Sequence, residues 1–179
     1  MLAFAADWLN LLLRWGHMVA GISWIGTSFY FMALDASLQK REKMNPGVFG
    51  TAWEVHGGGF YHVEKYTAAP ANLPPDLIWF KWEAYLTWIT GFALLIVQYY
   101  LNAKIYLIDP SVMALSPTDA IAISLASLFA GWVIYDTLCK SPLGARPEYL
   151  GLAVLALITA AAWGFTHVFS GRGALIHVG

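Results

Sequence analysis

Four long apolar stretches constrain this chain more than any other feature of its sequence. A transmembrane helix needs about 20 mostly apolar residues, and the stretches 15–34, 82–101, 120–139 and 149–171 meet that length. Charged residues make up only 12% of the sequence and apolar residues 59%, whereas soluble domains usually carry about 25% charged residues. The sequence therefore predicts an all-α fold, an integral membrane bundle of four transmembrane helices.

The distribution of Lys and Arg predicts the orientation of these spans, because loops rich in these residues usually lie in the cytoplasm. Seven of them lie between spans one and two or between spans three and four, against three in the other segments, namely Arg14, Lys104 and Arg172. The long loop between helices 1 and 2 is therefore expected to be cytoplasmic. We predict a multi-pass protein of the bacterial inner (plasma) membrane with its N-terminus outside.

Charge and cysteine content exclude several classes of function. The net charge of −1 provides no basic surface for nucleic acid. Cys139 is the single cysteine, so the chain forms no internal disulfide and holds no covalent c-type haem. We expect one domain over residues 1–179. Its last residues, 174–179, turn apolar again like the opening of a fifth span, which indicates truncation at the C-terminus, and a homo-oligomer or a missing C-terminal half could complete the domain.

Two histidines lie near the predicted outer ends of spans. His17 is placed about one turn inside span one and His167 about one turn inside span four. Neutral imidazoles from two helices at one depth can ligate a haem iron axially, and Arg14 could pair with a haem propionate. The residues thus predict haem b, held by His17 and His167 as iron ligands. The alternative is that each histidine hydrogen-bonds to a neighbouring helix, the commoner role of a lone histidine in a span.

The cytoplasmic loop holds the most unusual segment, residues 53–66, with the sequence WEVHGGGFYHVEKY. His56 and His62 can exchange protons near neutral pH, and Glu54 could orient them or act as a base. The glycine triplet can leave backbone N–H groups pointing at an anion. The alternative is a tight turn that folds the loop back. The surrounding stretch, 45–75, is rich in Gly and Pro and is predicted to be irregular with short helical pieces.

Four sequence runs resemble the urate oxidase N-terminal membrane domain, the membrane part of bacterial cytochrome c-linked urate hydroxylases. They are RWGHMVAGISWIGTSFYFMALD, WEVHGGGFYHVEKY, LPPDLIWFKWEAYLTWITGFALL and IYDTLCKSPLG, and the resemblance extends from about Trp8 to Gly179. It implies a multi-span protein of purine catabolism that oxidises urate to 5-hydroxyisourate and passes electrons to a cytochrome c domain. This chain lacks that cytochrome c tail, so it could depend on a partner chain.

The resemblance gives the loop a substrate, because urate is a flat anion that aromatic, glycine and cationic groups can hold. It implies His56, His62 and Glu54 as catalytic groups. The substrate-binding residues are then Lys65, Gly57, Gly58, Gly59 and Tyr61. Two other functions stay open on the sequence: a haem b electron-transfer subunit, and a permease-like, purine-binding membrane module without catalysis.

Overall fold

The computed structural model describes residues 2–179, with side chains from residue 4 onward. The protein is mostly helical, with 64% of its residues in helices, and it also contains one two-stranded sheet. The elements in chain order are α1 (Leu2–Ser37), β1 (Val48–His56), β2 (Gly59–Tyr66), α2 (Lys81–Leu94), a π-helix (Leu95–Tyr100), α3 (Ala103–Tyr106), α4 (Pro117–Lys140), a 3₁₀ turn (Pro142–Ala145), α5 (Pro147–Phe165) and α6 (Gly171–Val178).

The chain divides into two compact units, and the first is Arg14–Gly91. Within it, α1 and α2 run antiparallel, since the His17 ring lies at Gly91 while the rings of Phe31 and Phe80 meet edge to face at 4.9 Å. Gly91 makes this approach possible, because a Cβ there would lie 2.9 Å from Cε1 of His17. A histidine of α1 thus packs directly against a glycine of α2.

A β-hairpin occupies the segment that the sequence predicted to be irregular with short helical pieces, and that prediction was wrong. β1 and β2 pair antiparallel from Val48↔Tyr66 to His56↔Gly59. Gly57 and Gly58 form the two-residue turn with φ values of 58° and 81°, the left-handed pair that a type I′ turn needs and that glycine adopts without strain. The all-α prediction therefore holds for the helices and fails for this loop.

The second unit contains Phe92–Gly179 and the N-terminal residues up to Leu13. Its core is a small cluster in which Leu107 and Phe169 are completely buried. Ser170 closes this core, because its backbone N–H donates to the Leu107 carbonyl at 2.9 Å and its hydroxyl donates to the Tyr106 carbonyl. The same hydroxyl accepts from the Gly173 N–H at the start of α6. Ser170 thus ties the short helix α6 to α3.

Two helices of the described chain, α4 and α5, are long and apolar enough to cross a membrane. A serine cap starts α4: Ser116 accepts from the Asp119 N–H, and Pro117 occupies the first turn, where its missing N–H costs nothing. Large apolar side chains stay exposed on both helices, such as Trp132 at 64% and Trp163 at 70%. The predicted four-span bundle is therefore supported at two of its spans.

The structure also moves one predicted boundary. The fourth apolar stretch was expected to stay helical through residue 171, but α5 ends at Phe165. A turn then leads to α6, which contains the apolar residues near the end of the chain. His167 consequently lies just beyond the helix rather than one turn inside it.

Candidate functional site

The strand register sorts the predicted loop residues onto two faces of the hairpin. Residues directly opposite each other share a face, and faces alternate along a strand. Glu54 pairs with Tyr61 and His56 pairs with Gly59, while Trp53 pairs with His62. We call these the Glu54 face, made of Glu54, His56, Gly59, Tyr61 and Lys65, and the Trp53 face, made of Trp53, Val55, Phe60, His62 and Glu64.

This sorting separates the three predicted catalytic residues. Glu54 and His56 share a face, whereas His62 lies on the other, where its ring packs against Trp53 with centroids 4.6 Å apart. Both imidazoles are exposed. The sequence could not reveal the split, because it depends on a register that the turn at Gly57 and Gly58 fixes. The Glu54 face gathers most of the predicted site.

Two side-chain contacts fasten the Glu54 face to the end of α1. The Tyr30 hydroxyl donates to Glu54 Oε2 at 2.5 Å, and the Lys65 ammonium group pairs with Asp35 Oδ2 at 2.6 Å. The Lys65 and Asp35 side chains keep 43% and 51% of their surface exposed, so this ion pair contributes little stability. Its effect is on position, since it joins the hairpin to α1 four residue steps along the strands from the Glu54–Tyr61 pair.

Tyr61 and Gly59 form a contact within that face. A Cβ on Gly59 would lie 3.3 Å from the ring of Tyr61, so the ring lies over a residue without a side chain. A Cβ on Gly57 or Gly58 would meet no atom within 4 Å, and the role of these two glycines is the turn itself. The tight turn that the sequence left open as an alternative is therefore present.

Glu64 forms a small polar cluster at the base of the Trp53 face. The Asn45 amide donates to both carboxylate oxygens, at 3.0 and 3.2 Å, and the Tyr66 hydroxyl donates at 2.9 Å. These donors, Asn45 first, hold the pKa of Glu64 below its ordinary value. The same carboxylate raises the pKa of Tyr66. Glu64 is therefore ionised at neutral pH, and its carboxylate joins Asn45 to Tyr66.

His17 is fixed against α2 through one ring nitrogen. Its Nδ1 lies 3.1 Å from the Thr87 carbonyl oxygen and 3.1 Å from the Thr90 hydroxyl. A carbonyl only accepts, so Nδ1 carries the proton and Nε2 keeps its lone pair. Within residues 2–179, Nε2 makes no hydrogen bond. A ligating histidine usually shows this arrangement, with the far N–H given to a backbone carbonyl.

His167 shows the same arrangement in the other unit. Its Nδ1 lies 2.9 Å from the Trp163 carbonyl oxygen, and its ring packs on the Trp163 indole with centroids 4.6 Å apart. The side chain is exposed, and the described residues give Nε2 no hydrogen-bond partner. Residues 2–179 contain no group of three or more His, Cys, Asp or Glu side chains placed to hold a metal ion.

His177 forms a polar site that the sequence did not reveal. Its ring stacks on Phe169 at 4.5 Å and 12°, and both of its nitrogens are hydrogen-bonded, to Ser124 and to the Gly173 carbonyl. Ser170 is a capping residue ahead of a short apolar segment, and this pattern is typical of the start of a helix such as α6. It gives no sign of Ser124, the α4 residue bonded to His177, which lies 53 residues away in the chain.

A comparison with protein families identifies the relatives of this chain. The family described as urate oxidase N-terminal matches residues 3–179. The chain belongs to the urate oxidase N-terminal family. This membership confirms the resemblance seen in the sequence and supports a urate-related function. No curated protein and no solved structure matches the chain.

Proposed function

We propose that this chain is the membrane domain of a urate hydroxylase that converts urate to 5-hydroxyisourate and passes the electrons to a cytochrome c. Family membership supports the substrate. The observation that carries the chemistry is the Glu54 face of the hairpin, which gathers a carboxylate, an imidazole, an aromatic ring and a lysine on one surface. The cytochrome c partner is a separate domain or protein.

Urate binds on the Glu54 face in this proposal. The ring of Tyr61 offers an aromatic surface beside Gly59, and a flat purine can stack on it. Lys65 lies on the same face, four residues from Tyr61 along β2 and paired with Asp35, and its positive charge would attract the urate anion to this face. The exposed His56 next to the turn can donate to a urate oxygen or accept a proton from it.

The reaction needs a base, because urate and water give 5-hydroxyisourate with two protons and two electrons. His56 is the base in this proposal, since its imidazole is exposed on the face that binds urate and an imidazole nitrogen can accept a proton. Glu54 already accepts a hydrogen bond from the Tyr30 hydroxyl. In this proposal its role is therefore to hold the hairpin in position against α1. His62 lies on the other face, where its ring packs against Trp53 and supports the structure of the hairpin.

Haem b, with His17 and His167 as iron ligands, is the proposed route for the electrons. Each histidine by itself fits this role, because its Nδ1 proton is bound by a backbone carbonyl and its Nε2 lone pair is available. Haem would supply one-electron transfer between substrate and cytochrome c. Arg14 stays a proposed partner of a propionate.

The proposed setting is a bacterial inner membrane crossed by four helices, with the N-terminus outside and the hairpin in the cytoplasm. The two apolar helices α4 and α5 support membrane association, and the Lys and Arg distribution supports the orientation.

Reduction of added cytochrome c by urate tests the catalytic proposal in detergent-solubilised protein. His56→Ala is expected to abolish the rate, since it removes the base, whereas His62→Ala on the opposite face is expected to keep most of it. Both residues are exposed histidines of one hairpin, so each variant is the matched control of the other. Equal loss in both variants, or no loss in either, contradicts the assignment to the Glu54 face.

A reduced-minus-oxidised absorption spectrum tests the haem proposal. The wild-type protein is expected to give a b-type signal that His17→Ala and His167→Ala each remove, while His177→Gln keeps it because both His177 nitrogens are already bonded. A haem signal with no urate-dependent turnover would favour the electron-transfer subunit. Urate binding without haem would favour the purine-binding module.

A further inference from the structure

Three side chains of the second compact unit form a continuous hydrogen-bonded chain outside the proposed urate and haem residues. The Tyr100 hydroxyl lies 2.7 Å from Ser124 Oγ, and Ser124 Oγ lies 2.5 Å from His177 Nε2. At the far end, His177 Nδ1 lies 2.6 Å from the Gly173 carbonyl oxygen. Three different helical segments therefore meet at Ser124.

The direction of every hydrogen bond in this chain follows from its last member. The Gly173 carbonyl only accepts, so His177 Nδ1 must hold a proton. In the neutral imidazole, Nε2 is then an acceptor, and the Ser124 hydroxyl must donate to it. Ser124 has given away its one proton, so the Tyr100 hydroxyl must donate to Ser124. All the donors point from Tyr100 toward His177.

The middle member of this chain is buried. Ser124 is completely buried, and one side of the His177 ring is covered by Phe169, with Phe165 packed nearby at 5.3 Å. The titratable group that faces His177 through Ser124 is Tyr100, and no ion pair among residues 2–179 includes His177. Tyr100 and His177 are both partly buried, so the chain joins two partly exposed side chains through a fully buried hydroxyl.

The backbone at Tyr100 is also unusual. Tyr100 is the last residue of the π-helix Leu95–Tyr100, and π-helical turns are rare and occur frequently at functional sites. His177 in turn lines a cavity of about 220 Å³ with Ser127, Trp132 and Phe165. The polar chain therefore connects the end of a π-helix to the wall of a cavity.

We propose that Tyr100, Ser124 and His177 form a proton relay with His177 as the terminal acceptor. A proton bonds to the Tyr100 hydroxyl oxygen, the phenolic proton passes to Ser124 Oγ, and the serine proton passes to His177 Nε2. Each oxygen gains one O–H bond and loses one, so the net change is one proton added to the imidazole. Rotation of the two hydroxyls resets the chain. This relay does not depend on the urate assignment.

Nitrogen NMR of the full chain in detergent micelles, with ¹⁵N-labelled histidine, tests the relay. The His177 signal is the one that disappears in His177→Gln. The wild-type signal is expected to show the Nδ1–H tautomer when neutral, and to move as a single averaged signal as the pH is lowered. Tyr100→Phe keeps the Ser124–His177 bond but removes the first hydroxyl of the relay, so separate signals for neutral and protonated His177 are expected.

Tyr99→Phe is the matched control, because it removes a neighbouring buried hydroxyl outside the relay and should leave the signal averaged. A purely structural network predicts the same averaged signal in Tyr100→Phe as in wild type, and that result overturns the relay. An Nε2–H tautomer in the neutral wild-type protein overturns it without any variant, so the test does not depend on how Tyr100→Phe folds.

Discussion

His17 in the first unit and His177 in the second begin from the same local chemistry and end in different states. Each gives its Nδ1 proton to a backbone carbonyl, of Thr87 and of Gly173 respectively. They differ at Nε2, which makes no hydrogen bond at His17 among the described residues and accepts from Ser124 at His177. The presence or absence of a hydrogen bond at Nε2 decides whether that nitrogen is available to bind a ligand.

The two histidines differ in the residue that each meets on the adjacent helix. His17 meets Gly91, a position with no side chain to occupy the outer nitrogen. His177 meets a buried hydroxyl on α4. The first is left available as a ligand, and the second is closed to ligands but connected to a proton donor.

Ser124→Ala is expected to have the largest effect on this comparison. It removes the partner of His177 Nε2 and of the Tyr100 hydroxyl at once, and leaving two partly buried polar groups without this partner should lower the free energy of unfolding by about 1–2 kcal/mol. Thermal or denaturant unfolding in detergent measures the change. Ser127→Ala is the control, because the Ser127 hydroxyl donates to the Ser124 carbonyl of its own helix. Equal destabilisation by both variants would contradict a special role of the Ser124 hydroxyl at His177.

Gly91→Ala is expected to have the next largest effect, on His17 alone. The added Cβ would lie 2.9 Å from Cε1 of the imidazole, so the ring must move and lose its contacts to Thr87 and Thr90. Overpacking of this kind costs about 1–2 kcal/mol, and the b-type signal should weaken as in His17→Ala. Gly151→Ala, whose added Cβ meets nothing within 4 Å, should be neutral or stabilising; matching results for the two glycines would contradict the fit of His17 to Gly91.

Lowering the pH is expected to have the smallest effect, a loss of stability in the hairpin. The difference between the Nε2 contacts of His17 and His177 should not depend on this change. Because hydrogen bonds from Asn45 and Tyr66 lower the pKa of Glu64 in the folded state, its contribution to stability is fully present above the unfolded value. It is lost as the pH falls through the lowered folded value. Hydrogen exchange of the hairpin amides, corrected for intrinsic rates, should therefore show protection that decreases in acid.

Glu64→Gln provides the control for this acid effect. The amide cannot ionise, so the acid-dependent part of the hairpin protection should disappear while the protection of α4 stays unchanged. Persistence of the same acid dependence in the variant would assign it to another group.

The sequence predicted the helices well and the hairpin poorly, for identifiable reasons. Long apolar stretches indicated α1, α2, α4 and α5, because helix formation in such stretches depends on local composition. The hairpin was missed although two adjacent glycines are a recognised signal for a two-residue turn; the many Gly and Pro residues around it favoured an irregular loop. The apolar pattern also gave no sign that α5 ends at Phe165. That end is followed by a turn whose Ser170 N–H donates to the Leu107 carbonyl, a contact far away in the sequence.

The candidate site was predicted as a set of residues but not as a geometry. Glu54, His56 and Tyr61 share a face as a cluster would require, whereas His62 does not, since one step along a strand reverses the direction of a side chain. His177 was overlooked because its partner Ser124 lies far away in the sequence. Contacts of this kind depend on tertiary packing and leave no local pattern.

The π-helix Leu95–Tyr100 has a consequence for how this chain tolerates changes in length. A π-turn holds one more residue per turn than an α-helix, and each residue of an α-helix rotates the following side chains by about 100°. Deleting a single residue from this segment would restore regular winding and turn the Tyr100 hydroxyl away from Ser124. Length variation among relatives should therefore be rarer here than in the loop that follows α3.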